Sequence, residues 1–360
     1  MGRPLLDSYQ PHYREVAMLE LPDFLDSTDI FDDGPALKQR LEDDGYLFIR
    51  GLLPAEAVLT VRQRLLQKAA QGGWLDAERA TDEGIANPTA ACKDPEDRYM
   101  QVFRTLWVDE ALHRLRTHPC VLDFFERIFG EPALAHPMFV QRNIFPQRAG
   151  FDFTTGIHQD KVHIGGATNH ALWVPLGDCP RDKGALAVAA TSHQAGILET
   201  KVGSGAGGMD ICVDIPGHWV TGAFKAGDAL VFSDTTVHRA LPNRTGQIRQ
   251  SFDARYQPAS QGIAETNMLP YSGCGTWDEV YSGWQSTDQQ YYWRALNPKV
   301  VDFDTSHYER RDRMAFEMAE QGDAGARDAL LRIVQRDCSP AKRARAERLV
   351  RELGGAVAGG

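Results

Sequence analysis

The stretch GIHQDKVHIGG, residues 156–166, sets two histidines and an aspartate among glycine and apolar residues. Read as a strand, its alternation turns His158 and Asp160 to one face and Gln159 to the other, so two metal-ligating side chains stand side by side. His163 falls on the opposite parity and lines the same pocket only if the chain turns at Gly165–Gly166. A His-x-Asp triplet alone equally suits a hydrogen-bonded core histidine. Its weight comes from a second stretch, GDALVFSDTTVHRALPNRTGQIRQSFDARY, residues 227–256. There Gly227–Asp228 reads as a turn, ALVF as a buried strand running on to His238, Asn243–Gly246 as a hairpin-like turn and IRQSFDARYQ as the next strand. Antiparallel strands joined in this way bring His238 and Arg249 into one cavity.

Two histidines and one carboxylate occupy one face of an octahedral ion and leave the other positions open, the arrangement of non-haem Fe(II) oxygenases. A structural zinc site fills all four positions, usually with thiolates, and none of the six cysteines is paired in sequence as that requires. An arginine inside the same barrel is costly to bury unpaired. A carboxylate-bearing co-substrate, gripped by charge-assisted bidentate hydrogen bonds, explains it.

With these residues in view, the chain resembles the phytanoyl-CoA dioxygenase family of Fe(II)- and 2-oxoglutarate-dependent oxygenases. The resemblance rests on HQD at 158–160, WVPL at 173–176, GAL with SH at 184–193, GDALVF followed by His238, PN at 242–243, and Arg249. DDGYLFIRGLLPAEAV resembles the family's opening strand and helix, so the likeness runs over roughly residues 40–260. It implies that His158, Asp160 and His238 ligate Fe(II) and that Arg249 binds the distal carboxylate of 2-oxoglutarate. Gln141 and Asn143 match positions of polar contacts to 2-oxoglutarate, and Trp173 either borders the site or serves as a core aromatic. The implied reaction consumes 2-oxoglutarate and O2, yields succinate and CO2, and hydroxylates a substrate. Because Asp160 is present no position is vacated for halide, which favours hydroxylation over chlorination.

His163 is then a contact to substrate or to a ligand's surroundings, and Lys161 either meets an acidic group on the substrate or is solvated. His193, in the TSHQAG turn, reads as structural, and Asp228 as a turn former. The same iron site also suits desaturation, epoxidation or cyclisation in natural-product biosynthesis. Two other readings keep the fold and change the chemistry: a non-catalytic cupin-like ligand-binding protein, and a zinc hydrolase.

The elements that must position these residues change in texture along the chain. Before residue 134 the pattern is helical, with one strand: ALKQRLEDD closed by Gly45, YLFIRGLL as the strand, then AEAVLTVRQRLLQKAAQ stopped by Gly72–Gly73. A polar loop with Pro88 and Pro95 leads to helices over Val108–Leu115 and Pro119–Phe129. Residues 134–258 are short apolar runs between Gly, Pro and Asp-Gly punctuation, which predicts antiparallel strands. The expected fold is mainly β with flanking helices, on a double-stranded β-helix (jelly roll, cupin-like) core. KVGSGAGGMD, 201–210, reads as a mobile loop and a candidate lid. Trp277, Tyr281 and Trp284 recur at helical spacing, in a segment that suits either an intrachain dock on the barrel or a dimer contact and so leaves the oligomeric state open. Three helices follow from Thr305, the last opened by Ser339 and Pro340. The division is an oxygenase domain over 1–275 and a helical extension over 276–360.

Composition excludes several classes. A net charge of -10 repels a nucleic-acid polyanion. No stretch reaches the roughly 18 apolar residues of a membrane span, and MGRPLLDSYQPHYREV lacks a signal-peptide core. Six scattered cysteines suit free thiols in a reducing compartment. The expectation is a cytoplasmic enzyme with a small-molecule substrate, no nucleic-acid partner and no membrane.

Overall fold

The computed structural model describes residues 20–148, 151, 153–203 and 205–356. Two sheets carry the fold. The larger holds β1 (Tyr46–Ile49), β9 (Ala229–Ser233), β4 (His170–Pro175), β11 (Arg249–Pro258) and β2 (Ala133–Ala135) in that order, with β3 (Val140–Ile144) also paired to β11. The smaller is β10 (His238–Ala240), β5 (Leu186–Ala190) and β8 (His218–Thr221). Every pairing within both is antiparallel. Helices hold more residues than strands, yet the sheets frame the site.

The inner faces of the sheets meet over a compact core in which Trp173, Leu230 and Phe232 of the large sheet pack with Val188, Val220 and Ala240 of the small one. The outer face of the large sheet is apolar too: Leu172, Val174, Val231, Phe252 and Tyr256 pack against α1 (Gly34–Asp44), α2 (Ala55–Gln71), α3 (Asp97–Trp107), α4 (Glu110–Arg116) and α5 (Pro119–Phe129). Burial on both faces explains why these strands read as continuous apolar runs. The centre of the sheet, β11, is different. Its outward residues Gln250, Phe252, Ala254 and Tyr256 are largely apolar, while its inward residues are Arg249, Ser251, Asp253 and Arg255. Period-two alternation thus places four polar side chains in a row between the two sheets.

Most elements read from the sequence are present, with three differences. The segment before Val108 is not all loop: Tyr99, Met100, Phe103, Leu106 and Trp107 form the buried stripe of α3. The glycine-rich run 201–210 is an antiparallel hairpin, β6 (Thr200–Val202) and β7 (Met209–Ile211), closed by a turn at Ala206–Gly208. Gly207 sits there at φ 63°, and a Cβ on it would stand 2.7 Å from His163 Cε1, so glycine lets the turn close on the site. The aromatic segment is helical over α7 (Trp277–Tyr281) and a 3-10 stretch at Tyr292–Leu296; α7 docks on α3 and α4, while Tyr292 Oη reaches the large sheet and donates to the Ala135 carbonyl of β2 at 2.6 Å. Trp277 meets Trp107, Trp284 Nε1 donates to the Val108 carbonyl at 3.0 Å, and Arg114 pairs with Asp288.

The last helices are α8 (Ser306–Glu320), α9 (Arg327–Arg336) and α10 (Pro340–Ala356). They share an apolar cluster of their own, including Phe316, Leu330, Ile333 and Leu349, to which the hairpin adds Val202 and Met209. Among the described residues no helix is long and apolar enough to cross a membrane.

Candidate active site

His158 does not lie on a strand. It makes an isolated antiparallel bridge to His238, each backbone N–H donating to the other's carbonyl at 3.0 Å, and the two rings stand 4.1 Å apart. Strand alternation therefore does not set Asp160 beside His158. The chain turns into α-helical geometry at Asp160, φ -80° and ψ -28°, and runs into the single helical turn α6 (Lys161–Ile164). Gln159 points away and ties this turn to the next loop, donating to the Gly196 carbonyl at 2.8 Å and accepting from Leu198 N–H at 2.8 Å.

The result brings one ligand atom each from His158, Asp160 and His238 within 4.8 Å of one another, all three residues buried. Their hydrogen bonds leave those atoms free to ligate. His158 Nδ1 is 2.7 Å from the Gly156 carbonyl and His238 Nδ1 is 3.0 Å from the Thr236 carbonyl. Each carbonyl fixes the proton on Nδ1 and leaves the Nε2 lone pair facing Asp160, at 3.8 and 3.9 Å. Burial pushes both imidazoles towards the neutral form a metal requires, and their mutual proximity adds to this at His158. For Asp160 burial alone would favour the neutral acid, but Arg255 and the neighbouring imidazoles outweigh it and hold the carboxyl below the usual range. Arg255 bridges Asp160 Oδ2 at 2.8 Å and Asp253 Oδ1 at 3.0 Å. Two neutral imidazoles and one oriented carboxylate fit an octahedral divalent ion bound on one face.

A narrow cavity runs from this triad between the sheets, past Trp173 and Leu186, to Arg249. Arg249 is 2% exposed, and no carboxylate lies within 4 Å of it among the described residues. Its Nε has no partner, Nη1 donates to Ser251 Oγ at 2.5 Å, and the guanidinium stands 5.6 Å from the Trp173 ring centroid. Burial pushes its pKa down to about 10. A buried guanidinium without an anion is a destabilising arrangement unless a ligand supplies the charge. A ligand carboxylate at Arg249 would supply it, and a guanidinium suits bidentate contact with such a group.

A second, wider cavity of about 210 Å³ opens on the other side of the triad. It is bordered by His163, whose Nδ1 is 2.8 Å from Tyr308 Oη, and by the hairpin turn. The remaining residues singled out in the sequence fall elsewhere. Gln141 and Asn143 face the helices, since Phe252 opposes Gln141 and Gln250 opposes Asn143 across β3 and β11. Their amides bond each other at 3.0 and 2.7 Å, and Asn143, which also borders the wider cavity, is held by Tyr99 and Gln250. The residue between them, Arg142, is opposite Ser251 and borders both cavities. One position of register separates the two assignments, and one position exchanges the faces of a strand. Trp173 lines the narrow cavity only, opposite Asp253. Lys161 borders neither cavity: its ammonium is 3.2 Å from Asp234 and donates to the Ala167 carbonyl at 3.1 Å. His193 ties its turn to the Glu42 carbonyl at 2.8 Å, and Asp228 accepts from Gly51 N–H and Lys225 N–H. Sequence reasoning missed Asp253 and Arg255, although the alternation that gave Arg249 continues through both.

Known proteins can now be set beside this geometry. The family model for phytanoyl-CoA dioxygenase (PhyH) matches residues 41–251, more than half of the chain and inclusive of His158, Asp160, His238 and Arg249. The 1-deoxypentalenic acid 11-beta-hydroxylase of Streptomyces exfoliatus is 28% identical over 266 residues, 70% of this chain and 90% of that protein. Its counterpart in Streptomyces arenae is 29% identical over 269 residues, 69% and 90% of the two chains. The epimerase SnoN, crystallised with Fe3+, alpha ketoglutarate and nogalamycin RO, aligns at 22% identity and a TM-score of 0.47, over 64% of this chain and 85% of its own. With the matched span covering both the triad and its buried arginine, the chain belongs to the phytanoyl-CoA dioxygenase family of Fe(II)- and 2-oxoglutarate-dependent oxygenases.

Proposed function

We propose that this enzyme hydroxylates a small-molecule metabolite, with His158, Asp160 and His238 as its Fe(II) ligands and Arg249 as the anchor for the distal carboxylate of 2-oxoglutarate. The observation that carries the reading is the coexistence of a metal-ready triad and an anion-free buried guanidinium at opposite ends of one narrow cavity. When bound, the iron and 2-oxoglutarate supply the oxidising chemistry with O2, releasing succinate and CO2. The chain's own part is positional. Arg255 orients Asp160, the Gly156 and Thr236 carbonyls orient the two imidazoles, and Trp173 with Phe232 supplies part of the apolar wall of the narrow cavity. The two facing sheets are read as the double-stranded β-helix of an oxygenase domain that also carries the N-terminal helices and runs to residue 275, with a C-terminal helical extension from 276 packed on it; residues 1–19 and 357–360 lie outside the described residues. The Streptomyces hydroxylases of 1-deoxypentalenic acid support hydroxylation over other outcomes. Six unpaired cysteines support a reducing, cytoplasmic setting.

The test is turnover under 18O2 with candidate substrates. Hydroxylation places one labelled oxygen in succinate and one in the product. Label in succinate with an oxygen-free, desaturated or cyclised product moves the assignment to those reactions. Absence of labelled succinate from iron-loaded protein with every candidate overturns the reading in favour of a ligand-binding or zinc role.

A further inference from the structure

The wider cavity is cationic in a chain whose net charge is -10. Five lysines and arginines border it against two aspartates. Four of the five are already paired: Arg336 holds Asp94 by two contacts of 3.0 Å, Arg255 holds Asp160, Arg142 lies 3.5 Å from Asp253, and Arg332, on α9 and 12% exposed, holds Asp328 at 2.9 Å. Arg332 makes that pair through Nε alone, so neither of its terminal nitrogens has a hydrogen-bond partner among the described residues. Lys93 has no carboxylate within 4 Å among them, and its ammonium lies 5.2 Å from the Phe151 ring. Met138, Ile144, Phe153 and Ile164 give the same cavity an apolar part of its wall.

We propose that the substrate is a carboxylic acid with an apolar body, its carboxylate held by Arg332 and Lys93 while the body lies along the apolar wall towards the triad. A planar guanidinium with both terminal nitrogens free and an ammonium on the border of the same cavity are donors a carboxylate recruits, and Arg332 is largely shielded from water. Arg332 lies outside the span that matches the family, so the C-terminal helices supply this specificity to a shared core. The proposal rests on the functional reading above only in taking the triad as the reacting end.

The test is anaerobic calorimetry of protein loaded with Fe(II) and 2-oxoglutarate, titrated with cyclohexanecarboxylate and separately with its neutral isostere cyclohexanecarboxamide. The acid is expected to bind at least tenfold tighter than the amide. Arg332→Gln should weaken the acid roughly tenfold to a hundredfold and leave the amide unchanged, as a lost charge-assisted hydrogen bond does. Lys93→Gln should cost about threefold, a rim charge being worth less. Arg332→Lys, which keeps a cation in place, should restore part of the preference and so separates loss of the clamp from misfolding. Equal binding of acid and amide, no binding of the acid, or an Arg332→Gln variant that binds the acid as the wild type does each overturns the proposal. The visible charge-transfer band of the loaded wild type reports separately on the triad: an Arg332-dependent acid preference without that band sinks the metal reading and leaves this one standing.

Discussion

The two ends of the site are built differently. Apart from His158 and Asp160, which a bridge and a turn supply, the inner end from His238 to Arg249 is made by side chains on strands, whose directions follow from register: Arg249, Ser251 and Asp253 of β11 stand opposite Ile144, Arg142 and Val140 of β3. The outer end is made by a loop (Lys93), a single helical turn (His163), a glycine hairpin (Gly205–Gly207) and the C-terminal helices (Tyr308, Arg332). Strands fix geometry and loops and appended helices vary it, which suits shared chemistry at one end and a particular substrate at the other. Their charge balance differs as well. The inner end holds one buried arginine with no carboxylate beside it among the described residues, whereas the outer end has several cations on its wall.

The sharpest way to break this division is to remove a ligand at the junction. His158→Ala should reduce substrate-dependent succinate formation on the order of 1,000-fold, a loss of several kcal/mol in transition-state stabilisation. Stopped assays by mass spectrometry read it directly, and unchanged turnover would remove His158 from the site. Next comes the far inner end. Arg249→Gln leaves a ligand carboxylate without its partner, at about 2–4 kcal/mol, so KM for 2-oxoglutarate should rise roughly 30- to 1,000-fold. Affinity for cyclohexanecarboxylate in the wider cavity should not follow it; if both move together, the two ends are not independent. Arg255→Met takes away the residue that orients Asp160. Metal affinity by competition with a chromophoric chelator should fall roughly 10- to 100-fold, with partial recovery in Arg255→Lys.

The smallest effect belongs to neither end. Asp109 opens α4 and accepts from Arg64 at 3.0 Å, Lys68 at 2.8 Å and the Ala111 N–H at 3.1 Å. Burial alone would raise this carboxyl, but those donors overcome it and hold it below the ordinary carboxylate range. A depressed carboxylate stabilises the fold fully above its unfolded pKa of about 4 and loses that contribution as pH falls through its lower folded value. Asp109→Asn should therefore melt earlier than wild type at pH 7 by about 1–2 kcal/mol of stability, and the gap should narrow below about pH 4. A gap that persists at low pH would mean the charge is not what stabilises α4.

The contrast between the ends also explains what could be read from the residues. His238 and Arg249 were legible because a turn signal between two apolar strands brings them together, a local pattern with a period of two. The same period carried on to Asp253 and Arg255, where the alternation was visible and its chemical use was not. Where the chain leaves regular strands the reading slips. His158 and Asp160 do share a site, but through a bridge to His238 and a turn, not through strand alternation. Gln141 and Asn143 face the helices and Arg142 between them faces the cavities, a division the sequence leaves open because short strands with polar residues on both faces carry little register information. The outer wall was invisible for a different reason. Nothing local links Lys93 to Arg332, and a net charge of -10 describes the whole surface, not a cavity that gathers cations. Helices α8–α10 were readable as helices from their apolar spacing, yet the face they turn to the site is set by packing on the hairpin.

The account stands or falls on whether one site holds metal and 2-oxoglutarate together. Anaerobic titration of the metal-free protein with Fe(II) and then 2-oxoglutarate should produce a visible metal-to-ligand charge-transfer band. That band should vanish in Asp160→Ala, and in Arg249→Gln it should require far more 2-oxoglutarate. Metal binding without the band in the wild type, or a band that Asp160→Ala leaves intact, would contradict it.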